Sequence, residues 1–223
     1  MRISLFDFQE DAKAKLIEKI KASRALQTMN QGQQIITFSA PTGAGKTIIM
    51  TSLFEDVLFG TADIEAQPDS IFVWLSDMPD LNEQSKQKIA SKSDMLRTNQ
   101  LITIDSSFQA ESLEPGNVYF LNTQKLGSDK LLTHRSDQRQ FTIWEALTNA
   151  ATQYPNQLYV VIDEAHRGMN ISSRAENAAN SIMQKFIVGS EADGLCAMPL
   201  IIGITATPQR FQRMIAETTA TKH

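Results

Sequence analysis

The residues with the most specific chemistry in this 223-residue chain form a glycine-rich segment at 40–47, Ala-Pro-Thr-Gly-Ala-Gly-Lys-Thr. An apolar run at 35–39 precedes it, and this order predicts a strand that enters a turn and then a helix. Such a loop binds nucleoside triphosphates, because its glycines leave room for backbone N–H groups to surround phosphate oxygens. Lys46 would place positive charge near the β- and γ-phosphates, and Thr47 would offer its hydroxyl to Mg²⁺. The predicted nucleotide-binding residues are Thr42, Gly43, Ala44, Gly45, Lys46 and Thr47.

Two adjacent carboxylates, Asp163 and Glu164, end a second apolar run at 158–162. A continuous apolar run is typical of a strand that is buried on both faces, and α/β sheets place ligands at the carboxyl ends of such strands. Asp163 can hold Mg²⁺ through water, and Glu164 can take a proton from an attacking water molecule. With the glycine-rich loop, the pair predicts triphosphate hydrolysis in which Lys46 and Glu164 are the catalytic residues.

Strand and helix patterns alternate along the chain, which predicts an α/β fold with a mainly parallel sheet and helices on both faces. Trp74 and Trp144 are expected in the core rather than on a base-stacking surface. The predicted strands lie at 35–39, 71–75, 101–104, 118–121, 158–162 and 199–205. The predicted helices lie at 7–28, from 46 onward, and at 79–91, 141–154 and 170–187, with a polar loop at 125–140.

The composition of the chain excludes several classes of protein. No apolar stretch is long enough to span a bilayer and no signal peptide is evident, so we expect a soluble cytoplasmic protein without a membrane partner. The single cysteine, Cys196, excludes a disulfide framework within the chain, and no Cys or His cluster has metal-ligand spacing. The net charge of −4 argues mildly against strong nucleic-acid binding by this chain alone.

A third segment at 203–208, Gly-Ile-Thr-Ala-Thr-Pro, follows the last predicted strand. In this order, the glycine-rich loop, Asp-Glu-Ala-His at 163–166 and the third segment resemble the first RecA-like lobe of superfamily 2 helicases of the DEAD/DEAH type. The loop begins with Ala40 instead of the usual glycine, which is the helicase variant. The closest resemblance is to the motor (Res) subunit of type III restriction enzymes. Three weaker matches point to the same branch: Phe8-Gln9, Leu81-Asn82-Glu83-Gln84 and Asn122-Thr123-Gln124-Lys125-Leu126.

The resemblance implies a P-loop ATPase that uses ATP and Mg²⁺ and couples hydrolysis to movement on DNA. Gln9 would hydrogen-bond adenine, since an amide can both donate to and accept from its edge. Thr205 and Thr207 would couple the nucleotide state to the nucleic-acid strand, and His166 would contact other motifs rather than a metal. The implied partners are the DNA phosphate backbone, a second helicase lobe in the same longer chain, and a modification or specificity subunit.

Residues 1–223 are expected to form one ATP-binding lobe, with the second lobe absent from this chain. Without the arginines that a facing lobe supplies, the isolated chain is expected to hydrolyse ATP hardly at all. The residues leave two other functions open: an RNA-dependent ATPase of the DEAH type, and a non-catalytic nucleotide-binding module. The Phe8-Gln9 element and the lack of a long RNA-type extension favour DNA over RNA.

Overall fold

A computed structural model describes residues 1–29, 32–137, 139–163 and 182–220, with side chains described up to Glu217. The strands are β1 (Gln34–Ser39), β2 (Ile71–Ser76), β3 (Leu101–Thr103), β4 (Val118–Asn122), β5 (Leu158–Ile162) and β6 (Leu200–Thr205). The helices are α1 (Asp7–Thr28), α2 (Lys46–Phe59), α3 (Pro79–Lys92), α4 (Ile143–Gln153) and α5 (Pro208–Ala220), and residues 182–188 are also helical.

Within the described residues, the six strands form one sheet in the order β1-β6-β5-β2-β4-β3, and every pairing is parallel. Alternate side chains of each central strand enter one of two apolar clusters on opposite faces, as the pleat of a strand requires. Helices α1, α2 and α3 cover one face, and α4, α5 and residues 182–187 cover the other. The predicted α/β class is therefore confirmed.

The predicted elements match the observed ones closely where the structure describes them. Trp74 and Trp144 are both fully buried, as expected for core residues. Helix α4 begins at a capping box in which the Thr142 hydroxyl accepts the backbone N–H of Glu145. The predicted loop at 125–140 contains a short 3₁₀ helix, Leu131–Thr133. Most of the predicted helix at 170–187 lies outside the described residues.

Helix α5 is absent from the sequence-based prediction, although its signals are present. Pro208 occupies the first helical position, and Phe211 and Met214 are one turn apart and buried. The helix approaches β6 so closely that a Cβ atom at Gly203 would overlap ring atoms of Phe211. Glycine at this position therefore permits the close packing of α5 on the sheet.

Candidate nucleotide-binding site

The glycine-rich loop lies between the carboxyl end of β1 and the amino end of α2. Gly43 and Gly45 have φ angles of +85° and +80°, a region that residues with a Cβ atom rarely adopt. Gly45 is the N-cap of α2, and its carbonyl accepts the backbone N–H groups of Ile48 and Ile49. The loop thus takes the turn that its glycines predict and leads directly into a helix N-terminus, where the dipole favours anions.

Lys46 and Thr47 occupy the first turn of α2, and both are half-buried. The Lys46 ammonium donates a long hydrogen bond of 3.4 Å to the carbonyl of Ala40, at the opposite end of the loop. The side chain therefore folds back over the loop, where a phosphate group would compete for its charge. Thr42 and Gly43 are exposed at the tip, and Ala44 is half-buried.

Asp163 directly follows β5, and its backbone N–H extends the sheet by donating to the carbonyl of Leu75 at 2.9 Å. Strand β6 lies between β5 and β1, with Ile162 level with Gly203, and Ser39 level with Thr205. The carboxyl ends of all three strands therefore meet at one edge of the sheet, about 5 Å apart from strand to strand. Asp163 and the glycine-rich loop lie on the same edge, as predicted, whereas Glu164 and His166 lie outside the described residues.

Thr205 and Thr207 form the turn from β6 into α5. Thr205 is fully buried, and its hydroxyl oxygen accepts the backbone N–H of Thr207 at 3.0 Å. The Thr207 hydroxyl oxygen is buried and has no hydrogen-bond partner among the described residues. In this state Thr205 shapes the turn from inside the fold, and Thr207 holds the polar group that a ligand could engage.

Gln9 contacts the glycine-rich loop directly, although 35 positions separate it from its partner. Its side-chain Nε2 donates to the carbonyl of Ala44 at 2.9 Å, and its Oε1 accepts the backbone N–H of Phe6 at 3.0 Å. The side chain is only 6% exposed, and Nε2 lies against Gly45. The sequence indicates Gln9 as a candidate but does not reveal this contact, because no local pattern connects residues so far apart.

Asn82 and Asn122, from two of the weaker sequence matches, also lie near this edge of the sheet. They line a small cavity of about 60 Å³ between α3 and β4, together with Lys125. Both side chains are buried, and Asn82 Oδ1 and Asn122 Nδ2 have no hydrogen-bond partner among the described residues. Two chain segments that the sequence places far apart therefore share one polar pocket.

The strand order, the glycine-rich loop and the position of Asp163 define a RecA-like α/β lobe with a phosphate-binding type of loop. The chain belongs to the family described as type III restriction enzyme, Res subunit, whose sequence model matches residues 2–210. The match covers most of the chain and includes every candidate site residue named above. The predicted family is therefore confirmed. No curated protein matches the sequence.

Solved structures resemble this chain only distantly. The large terminase of bacteriophage HK97 has a TM-score of 0.45 and 14% identity, over 99% of this chain and 38% of its own. The nuclease-deletion mutant of the Type ISP restriction-modification enzyme LlaGI, in complex with a DNA substrate mimic, has a TM-score of 0.42 and 14% identity, over 92% of this chain and 18% of its own. The DUF1998 helicase MrfA, bound to DNA and AMPPNP, has a TM-score of 0.45 and 17% identity, over 97% of this chain and 29% of its own. The chain thus spans 38% or less of each protein, and the family assignment rests on the sequence match.

The part of the chain that the structure describes contains no helix long and apolar enough to cross a membrane.

Proposed function

We propose that this chain is the ATP-binding lobe of a helicase or translocase that couples ATP hydrolysis to movement on DNA. In this proposal it belongs to the restriction subunit of a type III-like restriction-modification enzyme in the cytoplasm. The observation that carries the proposal is the loop at the end of β1, in which two glycines with positive φ precede Lys46 and the amino end of a helix. Family membership supports the same reading.

The residues at this edge fit Mg²⁺ and a triphosphate. A Cβ atom at Gly43 would meet no heavy atom within 4 Å, so the loop leaves open space above its backbone. The ammonium of Lys46 would balance phosphate charge, and the Thr47 hydroxyl and Asp163 carboxylate supply the oxygen ligands that Mg²⁺ prefers. Mg²⁺ would neutralise charge on the phosphates. Glu164, assigned from sequence alone, would accept the proton of the attacking water.

Gln9 supports a preference for adenine. A glutamine amide has two N–H donors and an oxygen with two acceptor positions, and the contacts to Ala44 and Phe6 use one of each. One donor and one acceptor remain, which is the pair that complements the N7 acceptor and N6 donor of adenine. Guanine presents two acceptors on the same edge, so one of its groups would be mismatched.

Calorimetric titration of the purified chain with ATP and Mg²⁺ tests the proposal. Lys46→Ala removes a charge-assisted contact worth roughly 1.5–3 kcal/mol, so affinity should fall by about tenfold or more. Lys19→Ala, which removes an exposed lysine of α1, is the matched control and should leave the affinity unchanged. Equal affinities for wild type and Lys46→Ala would contradict the assignment of the site.

The coupling to DNA needs a separate experiment, because we propose that a second lobe in a longer chain completes the catalytic site. Phosphate release by the longer protein should rise on addition of DNA, whereas the 223-residue chain should stay nearly inactive with or without it. Stimulation by RNA in place of DNA would favour an RNA-dependent ATPase. Nucleotide binding by the longer protein without any turnover would favour a non-catalytic module. A modification or specificity subunit is a further proposed partner.

A further inference from the structure

We infer that Lys13 is a positioning residue for base recognition. Its ammonium links α1, the helix that carries Gln9, to α2, the helix that follows the phosphate loop. This inference rests on the proposed function, since it assumes that Gln9 contacts the base of a bound nucleotide. It adds a residue that belongs to none of the sequence motifs and does not itself touch the nucleotide.

Lys13 makes three side-chain contacts, of which two reach α2 and the third, with Glu10, stays within α1. Its Nζ lies 2.9 Å from Asp56 Oδ2 and 2.9 Å from Glu10 Oε2, and it donates to Ser52 Oγ at 3.2 Å. The side chains of Lys13 and Asp56 are each only 14% exposed. Exposed surface ion pairs contribute little, but this pair is largely withdrawn from water and therefore interacts more strongly.

The positions of the contacts along α1 connect this bridge to the site. Lys13 lies one helical turn after Gln9, so both side chains are on the same face of α1. Gln9 fastens that face to the phosphate loop at Ala44, and Lys13 fastens it to α2, which begins directly after Gly45. The apolar residues of the following turns hold the rest of α1 on the sheet, so two polar contacts a turn apart fix the position of its first turns relative to the loop.

The charges around Lys13 explain why its loss should move α1. Burial lowers the pKa of Lys13, but hydrogen bonds with Asp56 and Glu10 outweigh it and the pKa is raised overall. Burial, together with the charges of Glu10 and Glu55, raises the pKa of Asp56 although Lys13 lowers it, so Lys13 is the cation that favours the charged form of this carboxylate. Without Lys13, Glu10 on α1 and Asp56 on α2 would face each other as two unpaired carboxylates. Their repulsion would separate the helices one turn beyond Gln9.

Affinities of the purified chain for ATP, GTP and inorganic tripolyphosphate, measured by calorimetry with Mg²⁺, test this role. Wild type should prefer ATP to GTP by roughly 5- to 150-fold, the usual range for one bidentate base contact. In Lys13→Met most of this preference should be lost while tripolyphosphate binding is unchanged, because only the base contact depends on α1. Lys13→Arg keeps the cation and should keep the preference.

Two further variants distinguish a positioning role of Lys13 from a general loss of folding or of positive charge on α1. Lys19→Met removes an exposed lysine from the same helix and should behave as wild type. If Lys13→Met does not fold, Lys13→Met/Asp56→Asn removes the unpaired carboxylate and its repulsion, so this double variant should fold. It should still lose the preference for ATP, because the contacts of Lys13 with Asp56 and Ser52 are absent.

The outcomes distinguish the inference from the function on which it rests. A folded Lys13 variant that prefers ATP as strongly as wild type would overturn the role of Lys13 and leave the nucleotide site intact. Equal wild-type affinities for ATP and GTP would overturn the inference together with the role of Gln9. A wild-type chain that binds neither ATP nor tripolyphosphate would contradict the proposed function itself.

Discussion

Gly43 and Gly45 form a matched pair that isolates the contact between Gln9 and the phosphate loop. Their φ angles, +85° and +80°, both lie in the positive region that residues with a Cβ atom rarely adopt, so alanine strains the backbone at either position. A Cβ atom at Gly43 would meet nothing within 4 Å, whereas one at Gly45 would lie 2.5 Å from Gln9 Nε2. Only Gly45→Ala should therefore displace Gln9.

The loss of unfolding free energy that Gly43→Ala and Gly45→Ala have in common can be measured first. Alanine in the left-handed region costs roughly 1–2 kcal/mol, so both variants should lose about that much free energy of unfolding in urea. Gly45→Ala should lose a further amount of about 0.5–1.5 kcal/mol, the net worth of a typical hydrogen bond, as Gln9 leaves the Ala44 carbonyl. Adding Gln9→Ala to Gly45→Ala removes the clash, so the two losses should be less than additive.

The functional readout is the ratio of the dissociation constants for GTP and ATP, measured with Mg²⁺. Gly43→Ala should leave this ratio unchanged even if its phosphate affinity falls, because both nucleotides carry the same phosphates. Gly45→Ala should bring the ratio close to one, and the loss equals the contribution of Gln9, about 1–3 kcal/mol.

Two results would refute this reasoning. If Gly43→Ala lowers the ratio as much as Gly45→Ala does, the ratio reports the shape of the phosphate loop rather than the position of Gln9. If Gly45→Ala keeps the wild-type ratio while losing the extra stability, Gln9 supports the loop but does not select the base.

Three further predictions concern the scaffold. Gly203→Ala should lower the free energy of unfolding by about 1–3 kcal/mol, since a methyl group there overlaps the buried ring of Phe211; an unchanged urea midpoint would contradict the close packing. Thr142→Ala should cost about 1 kcal/mol by removing the cap of α4, and Thr142→Ser should restore most of it. Burial raises the pKa of Glu55, but the Met1 ammonium and other donors outweigh it and lower the pKa overall, while Glu55 raises the pKa of that ammonium. Their mutual stabilisation should be complete between the ordinary pKa values of 4.5 and 8.0, and should decline as pH falls through the Glu55 pKa or rises through the Met1 pKa. The melting temperature of Glu55→Gln should therefore lie furthest below that of wild type within this window and approach it outside.

Local chemistry made the strands and the phosphate loop predictable from sequence. The glycines at 43 and 45 permit the positive φ angles that the turn requires. The apolar run at 158–162 is too continuous for a half-exposed strand, whereas β1 at the edge of the sheet alternates buried and partly exposed residues. Each element follows from residues close together in the chain, so their types and limits needed no tertiary information.

Contacts between distant residues were not predictable in the same way. The hydrogen bond from Gln9 to Ala44 connects the start of α1 to the phosphate loop, which lies 35 residues later in the chain. This hydrogen bond forms only because of the way α1 packs. The bridge from Lys13 to Asp56 has the same origin, and a lysine on a helix usually indicates only a solvated face. Helix α5 is different, because Pro208 and the spacing of Phe211 and Met214 are local signals that indicate a helix, although the sequence-based prediction does not include it.

The sheet order explains how these pieces form one site. Connections that run in opposite directions along the sheet carry their helices on opposite faces: α2 and α3 on one, and α4 and residues 182–187 on the other. A constant crossover handedness requires this arrangement. Because β6 pairs with both β1 and β5, the phosphate loop and Asp163 are held at a fixed separation by the backbone hydrogen bonds of one intervening strand. Thr205 ends that strand, is fully buried, and directs its hydroxyl to the backbone of Thr207. A movement of β1 or β5 would therefore be transmitted to α5 through the turn at Thr205 and Thr207, and not through contact between Thr205 and a ligand.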